Sequence, residues 1–220
     1  MTLPEGEPAA GPWDALTVAD MVTSLLAIAG RPIGRPRIVA VEGRSASGKT
    51  TIAAALTAAV PGSAVVHTDD LSWNEPMFMW GHLLRDVLES LYNSPGVSLR
   101  PPAWERLGRE GSIEVAPDAT LVIIEGVGAN QREVAYLIDA TIWVQSDAEV
   151  AERRGIARDI ESAVNGDADQ SIAFWHWWMS HEAHYLNDQR PWERADLVVA
   201  GTPPMPLVDG QFAVAPGPLV

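Results

Sequence analysis

Five short runs of apolar, mostly β-branched residues punctuate the chain, near positions 37–41, 64–67, 120–124, 140–144 and 196–199. Each has the length and composition of a buried strand. Between them the apolar positions move to helical spacing. Leu16, Met21, Val22, Leu25, Leu26 and Ile28 would form one side of a helix that Asp14 caps and Gly30 stops near Ala29. Leu83, Leu84, Val87, Leu88 and Leu91 do the same across 80–92, where Asn93, Ser94, Pro95 and Gly96 end the pattern. Good helix formers fill 51–59, and further helices are expected at 132–138, 147–163 and 170–187. Strands alternating with helices or longer insertions predict an α/β fold: a five-stranded parallel sheet with helices on both faces, in three layers. One domain is expected over 13–202, with a flexible tail at 1–12 and an irregular, Pro- and Gly-rich tail at 203–220.

Composition narrows the function classes. The 220 residues are 47% hydrophobic and 20% charged, which is ordinary for a globular domain. No cysteine is present, which excludes disulfides, thiolate metal sites and cysteine nucleophiles. No apolar run is long enough to span a membrane, and the acidic start lacks the basic and apolar segments of a secretory signal, so a cytoplasmic protein is expected. A net charge of −14 argues against nucleic acid as a partner, since phosphate backbones are bound by Lys and Arg. An anionic substrate would need a local basic patch.

Against that background one stretch is decisive. Gly43-Arg44-Ser45-Ala46-Ser47-Gly48-Lys49-Thr50 matches G-x-x-x-x-G-K-[ST], the phosphate-binding P-loop, at every fixed position. It follows a predicted strand and opens a predicted helix, the order the chemistry requires. Loop N–H groups and the positive helix end surround a polyphosphate, Lys49 reaches the β- and γ-phosphates, and the Thr50 hydroxyl meets Mg²⁺. The motif predicts a nucleoside triphosphate site, with ATP and Mg²⁺ as the expected ligands.

Other candidates gather where predicted strands end. Asp69 and Asp70 follow the second strand, where α/β sheets hold ligands; a turn or helix cap is the plainer alternative. Glu125 follows the third strand and is positioned to meet Mg²⁺ or its water, or else to answer buried N–H groups. Arg154 and Arg158 are four apart in a charged helix and share a face, as a lid closing over phosphate would require. Salt bridges with Glu149, Glu152, Asp159 and Glu161 along a solvated helix are the alternative. Trp73, Trp80, Trp104 and Arg100 could wall an acceptor pocket, or be core and surface. The arginines of the 31–36 linker read as solvated, and both prolines of Arg100-Pro101-Pro102-Ala103-Trp104-Glu105-Arg106 argue for irregular chain. The tryptophans of 170–187 read as core. His176, His181 and His184 lack the H-E-x-x-H spacing of a zinc helix.

With these residues in order, the chain resembles the P-loop small-molecule kinases of the uridine kinase, pantothenate kinase and phosphoribulokinase group, over about 37–202. The resemblance rests on the 43–50 loop, His67-Thr68-Asp69-Asp70-Leu71, Ile123-Ile124-Glu125-Gly126 and Arg153-Arg154 with Arg158-Asp159-Ile160. The 195–201 ending, Ala-Asp-Leu-Val-Val-Ala-Gly, is likewise similar to uridine kinase-like proteins of actinobacteria. The resemblance implies a P-loop NTPase fold with a helical lid at about 147–166. It implies that Gly43, Ser45, Ala46, Ser47, Gly48, Lys49, Thr50 and Thr51 surround the phosphates, and that Gly201 and Thr202 lie beside the adenine. Asp69 would be base and metal neighbour, Thr50 and Glu125 would hold the metal shell, and Lys49, Arg154 and Arg158 would serve transfer. The implied partner is a small-molecule hydroxyl acceptor, with a homo-oligomer left open. Asp70, Leu71, Ser72 and Trp73 stand where uridine kinases carry Phe-Tyr-type residues, so a nucleoside acceptor is not implied.

Two other classes compete. A nucleotide-driven switch would carry an N-K-x-D guanine signature, which the chain lacks, and an Asp in place of Glu125. A nucleotide-binding protein with residual hydrolysis would share every phosphate-side motif and differ only in ignoring Asp69.

Overall fold

The computed structural model describes residues 1–94 and 96–220. Pro95, the expected helix stop, lies outside the described residues. The five apolar runs become parallel neighbours: β2 (Arg37–Gly43), β3 (Ser63–His67), β6 (Leu121–Glu125), β7 (Ala140–Gln145) and β8 (Leu197–Ala200). Val41 faces Glu125 on one side and Ile142 on the other, which places the loop after β2 between two strand ends.

The sheet nevertheless has seven strands and is mixed, not five and parallel. β9 (Gln211–Pro216) pairs antiparallel with β8, and β1 (Asp14–Thr17) pairs antiparallel with β9, in the order β1-β9-β8-β7-β2-β6-β3. The stretch from 203 is therefore not wholly irregular, and Asp14 is no helix cap. Thr17 caps α1 (Val18–Ala29) by accepting the Asp20 N–H, and Gly30 stops it with φ 67°.

Helices cover both faces. α1 and α2 (Lys49–Ala59) pack Leu25, Ile52 and Leu56 against Val39, Val41, Ile142 and Val144. On the other face α4 (Gly81–Asn93) packs Leu84, Val87 and Leu88 against Ile38, Ala40, Val122 and Ile124. Beside it α7 (Ala168–Gln189) sets Tyr185 and Leu186 against Trp143 and Val198. The insert between β3 and β6 also carries α3 (Thr68–Ser72) and a hairpin of β4 (Val97–Leu99) and β5 (Ile113–Val115) flanking α5 (Pro102–Leu107). This last helix overturns the irregular reading, because Pro102 sits in its first turn, where a missing N–H costs nothing. Trp80 and Trp104 are buried in the core and leave any pocket wall, and Arg100 is exposed with a bond to the Arg109 carbonyl. The expected 132–138 helix is one 3₁₀ turn, Ala135–Leu137.

Two segments read as loose are tied down. Arg35 makes a bidentate pair with Asp139 and lies over the Tyr92 ring. Glu7, 7% exposed, accepts from Arg44 Nε (2.9 Å), Trp143 Nε1 (2.8 Å) and Gln145 Nε2 (3.0 Å), so the start of the chain packs beneath the loop that follows β2. Among the described residues no helix is long and apolar enough to cross a membrane.

Candidate active site

The 43–50 segment forms the turn its motif predicts, between β2 and α2. Gly48 has φ 104°, which an L side chain rarely adopts, and a Cβ at Gly43 would meet the Val144 carbonyl at 2.6 Å. Lys49 is buried and its Nζ donates to the Arg44 carbonyl (2.8 Å). Ser47 Oγ is buried and has no hydrogen-bond partner among the described residues. The turn after β8 closes on the loop: a Cβ at Gly201 would overlap the Ser47 carbonyl, and the Thr202 hydroxyl pairs with Ser146 Oγ (2.8 Å).

Three adjacent strands, β2, β6 and β3, thus deliver the 43–50 loop, Glu125 and the α3 carboxylates to one edge. Glu125 Oε1 lies 3.4 Å from the Thr50 hydroxyl, and Oε2 lies 2.7 Å from His67 Nδ1. Burial pushes the Glu125 carboxyl up, but the His67 hydrogen bond and the Lys49 charge outweigh it and hold the group below its ordinary range. The same hydrogen bond raises His67 against the opposing effect of its burial. Hydroxyl and carboxylate oxygens are the hard donors that magnesium takes. Among the described residues no three His, Asp or Glu side chains gather as a metal cage.

The neighbouring carboxylates are used differently. Asp70 is paired with Arg109, whose guanidinium lies 3.7 Å over the Trp104 ring and 5.3 Å over that of Trp73. Asp69, next to it, is exposed at the start of α3. Behind them Gly126, with φ 142°, leaves room for Thr68: a Cβ there would overlap the Thr68 hydroxyl.

Arg154 and Arg158 do not meet over the loop. α6 (Ala148–Ser162) carries both on exposed positions; Arg154 donates to the Gly201 carbonyl (3.0 Å), and Arg158 pairs with Asp159 (2.8 Å). Arg153 faces Glu149 at 3.8 Å, so much of the helix follows the salt-bridged alternative.

Besides Glu7, two residues absent from the sequence candidates reach the loop from α7. Glu182 accepts the Ser45 N–H (3.2 and 3.1 Å) and hydroxyl (2.6 Å), and Trp178 Nε1 donates to Ser45 Oγ (2.9 Å). Their four-residue separation, which places them on one helix face, is the only local signal of this. Further along, Tyr185 bonds Glu42 (3.1 Å), which also accepts from the Gly128 and Asn130 N–H groups. Burial raises Glu42 despite those donors, and burial beside Glu42 pushes Tyr185 well up. A cavity of about 430 Å³ opens between this part of α7 and the 77–78 turn, lined by Met77, Phe78, Gln131, His181, His184 and Tyr185 among others.

No protein-family model and no curated protein matches the chain. Solved structures do. One is a protein from Silicibacter sp. TM1040, provisionally described as a fructose transport system kinase, with 23% identity over 72% of this chain and 87% of that one, at a TM-score of 0.52. Another, from Bacillus stearothermophilus, is described as a possible uridine kinase, with 20% identity over 82% of this chain and 96% of that one, at a TM-score of 0.53. At this identity the likeness establishes the fold: an α/β architecture with a mixed central sheet, of the kind those two proteins have.

Proposed function

We propose that the chain is an ATP-dependent kinase that transfers the γ-phosphoryl group to a hydroxyl of a small molecule. The observation that carries this reading is the meeting, at one edge of three adjacent strands, of a complete P-loop, the Thr50–Glu125 pair and the exposed Asp69. The two neighbours described as kinases add fold-level support.

Lys49 and the N–H groups of 45–51 would hold the phosphates, with Gly201 and Thr202 beside the base. Mg²⁺, when bound, neutralises phosphate charge, and Thr50, Glu125 and Asp69 would hold it or its water. Asp69 would orient the acceptor hydroxyl and take its proton, a role favoured over Asp70 by the latter's commitment to Arg109. Catalysis of this kind is mostly positioning and charge neutralisation. Arg154 and Arg158 are engaged with Gly201 and Asp159, so a part in transfer would require their side chains to reorient. The cavity beside Phe78 is the acceptor candidate; its lining includes no Lys or Arg, which favours an uncharged acceptor over a phosphorylated one.

The test is ADP release from Mg·ATP across nucleosides, sugars, vitamins and aminoglycoside-type alcohols, with mass spectrometry of products. A phosphorylated uncharged product, formed about 10²–10³-fold more slowly by Lys49→Ala and by Asp69→Asn, is expected. Acceptor-independent hydrolysis that ignores Asp69→Asn would replace the kinase with a nucleotide-binding protein of residual activity.

A further inference from the structure

The loop that follows β2 carries backbone strain. Ala46 has φ 58°, a conformation that residues with a side chain rarely adopt, and Gly48 follows at φ 104°. A strained residue keeps such a conformation only where its surroundings fix it from several directions. Two buried carboxylates do this at the pair of residues just before Ala46. Glu7 accepts Arg44 Nε (2.9 Å), and Glu182 accepts the Ser45 N–H (3.2 and 3.1 Å) and hydroxyl (2.6 Å).

Both carboxylates bear on one peptide group. The Arg44–Ser45 bond is trans, so its carbonyl and its N–H point in opposite directions. The carbonyl accepts the Ser47 N–H (3.1 Å) and Lys49 Nζ (2.8 Å). The N–H turns away from the lysine, toward α7 and Glu182. Glu7, from the start of the chain, holds the Arg44 side chain. Glu182 takes part in no ion pair among the described residues, and its remaining donor is the Trp178 indole N–H (3.2 Å). Its buried charge is therefore satisfied only while Ser45 stays in place, which makes the grip costly to break.

We propose that Glu7 and Glu182 are positioning residues that clamp the 44–45 peptide, hold the strained loop in shape before a nucleotide arrives, and so set nucleotide affinity. This rests on the nucleotide reading above and deepens it. A loop already in shape loses less freedom on binding. Without the clamp the peptide is free to turn, Ala46 relaxes toward an ordinary φ, and Lys49 loses the carbonyl that fixes its resting place. Neither carboxylate has to touch the nucleotide to act in this way.

The experiment is calorimetric titration of the full chain with Mg·ADP and Mg·AMP-PNP. The unmodified protein is compared with Glu7→Gln, Glu182→Gln and the double variant, each with and without Ala46→Gly. Glu7→Gln keeps an oxygen for Trp143 and Gln145 and loses the one that holds Arg44. Each single substitution is expected to weaken both nucleotides about tenfold. The double variant should fall well short of about a hundredfold, because the two act on one peptide. Ala46→Gly removes the penalty on positive φ and should recover about threefold of each loss. Unchanged affinity in the single variants, losses that simply multiply, or no recovery with Ala46→Gly would each overturn the clamp and leave nucleotide binding standing. Failure of the unmodified chain to bind either nucleotide would overturn both. If Glu182→Gln does not fold, Trp178→Phe takes its place: it keeps a ring, removes one donor from Glu182 and Ser45, and should weaken both nucleotides about threefold. Unchanged affinity there would reject the share of α7.

Discussion

Of the carboxylates that hold the phosphate-binding loop, Glu125 and Glu182 are built in opposite ways. Glu125 comes from a strand end, has His67 and the Lys49 charge for company, and bonds the hydroxyl of Thr50 at the helical end of the loop. Glu182 comes from a helix, is wholly buried, and bonds Ser45 at the other end through neutral donors. The first is held below its ordinary range, against its burial, by the His67 hydrogen bond and the Lys49 charge. The second is held by the N–H and hydroxyl of Ser45 and the indole N–H of Trp178. The difference separates a carboxylate with cationic company from one held by neutral donors, although both are acidic residues within reach of the same eight-residue motif.

The largest effect that would break the contrast concerns turnover. If Glu125 serves the metal shell, Glu125→Gln should slow phosphoryl transfer about a hundredfold at fixed Mg²⁺, with partial recovery at higher Mg²⁺. Glu182→Gln should show no such magnesium dependence. A common magnesium response in both variants would erase the distinction.

A smaller effect sharpens it through pH. His67 is raised from 6.5 by its bond to Glu125, so its share of stability is complete below 6.5 and is lost as pH rises through the raised value. Glu125 is held below 4.5, so its share is complete above 4.5 and is lost as pH falls through the lowered value. The urea midpoint should therefore be highest between about 4.5 and 6.5 and decline above that window. His67→Asn should flatten the decline on the basic side; an unchanged slope would show that the pair does not couple to folding.

The smallest effect tests the same contrast between Asp69 and Asp70. Asp70→Asn removes one half of a partly exposed ion pair and should cost about 0–1 kcal/mol in denaturant titrations, with catalysis nearly intact. Loss of turnover equal to that of Asp69→Asn would mean that Asp70, despite its pairing with Arg109, shares the work assigned to Asp69.

What the sequence made legible was local. Five apolar runs mark the parallel strands, and the P-loop and Glu125 follow strand ends at fixed offsets, so each could be read within about ten residues of itself. The missing features depend on distant partners. Asp14–Thr17 reads as the start of a helix until Gln211–Val214 pairs with it, and nothing near Asp14 announces that partner. Gln211–Pro216 hides in a stretch whose Pro and Gly suggest irregular chain. In the Trp-rich helix, Trp175 is core, as its apolar character suggests, while Trp178 turns its N–H to Ser45. Distinguishing them takes the position of the loop, 133 residues earlier.

The closing strands also bear on how the molecule behaves in a crowd of its own copies. Leu197–Ala200, apolar throughout, would offer a bare row of N–H and C=O groups if it ended the sheet, and such rows recruit strands from other molecules. β9 covers that row, and β1 in turn covers β9 with only four residues, the outermost pair bounded by Asp14 and Thr17. The stretch that reads as a Pro- and Gly-rich tail is thus a guard against intermolecular pairing. Its worth is in colloidal solubility as much as in the stability of the fold.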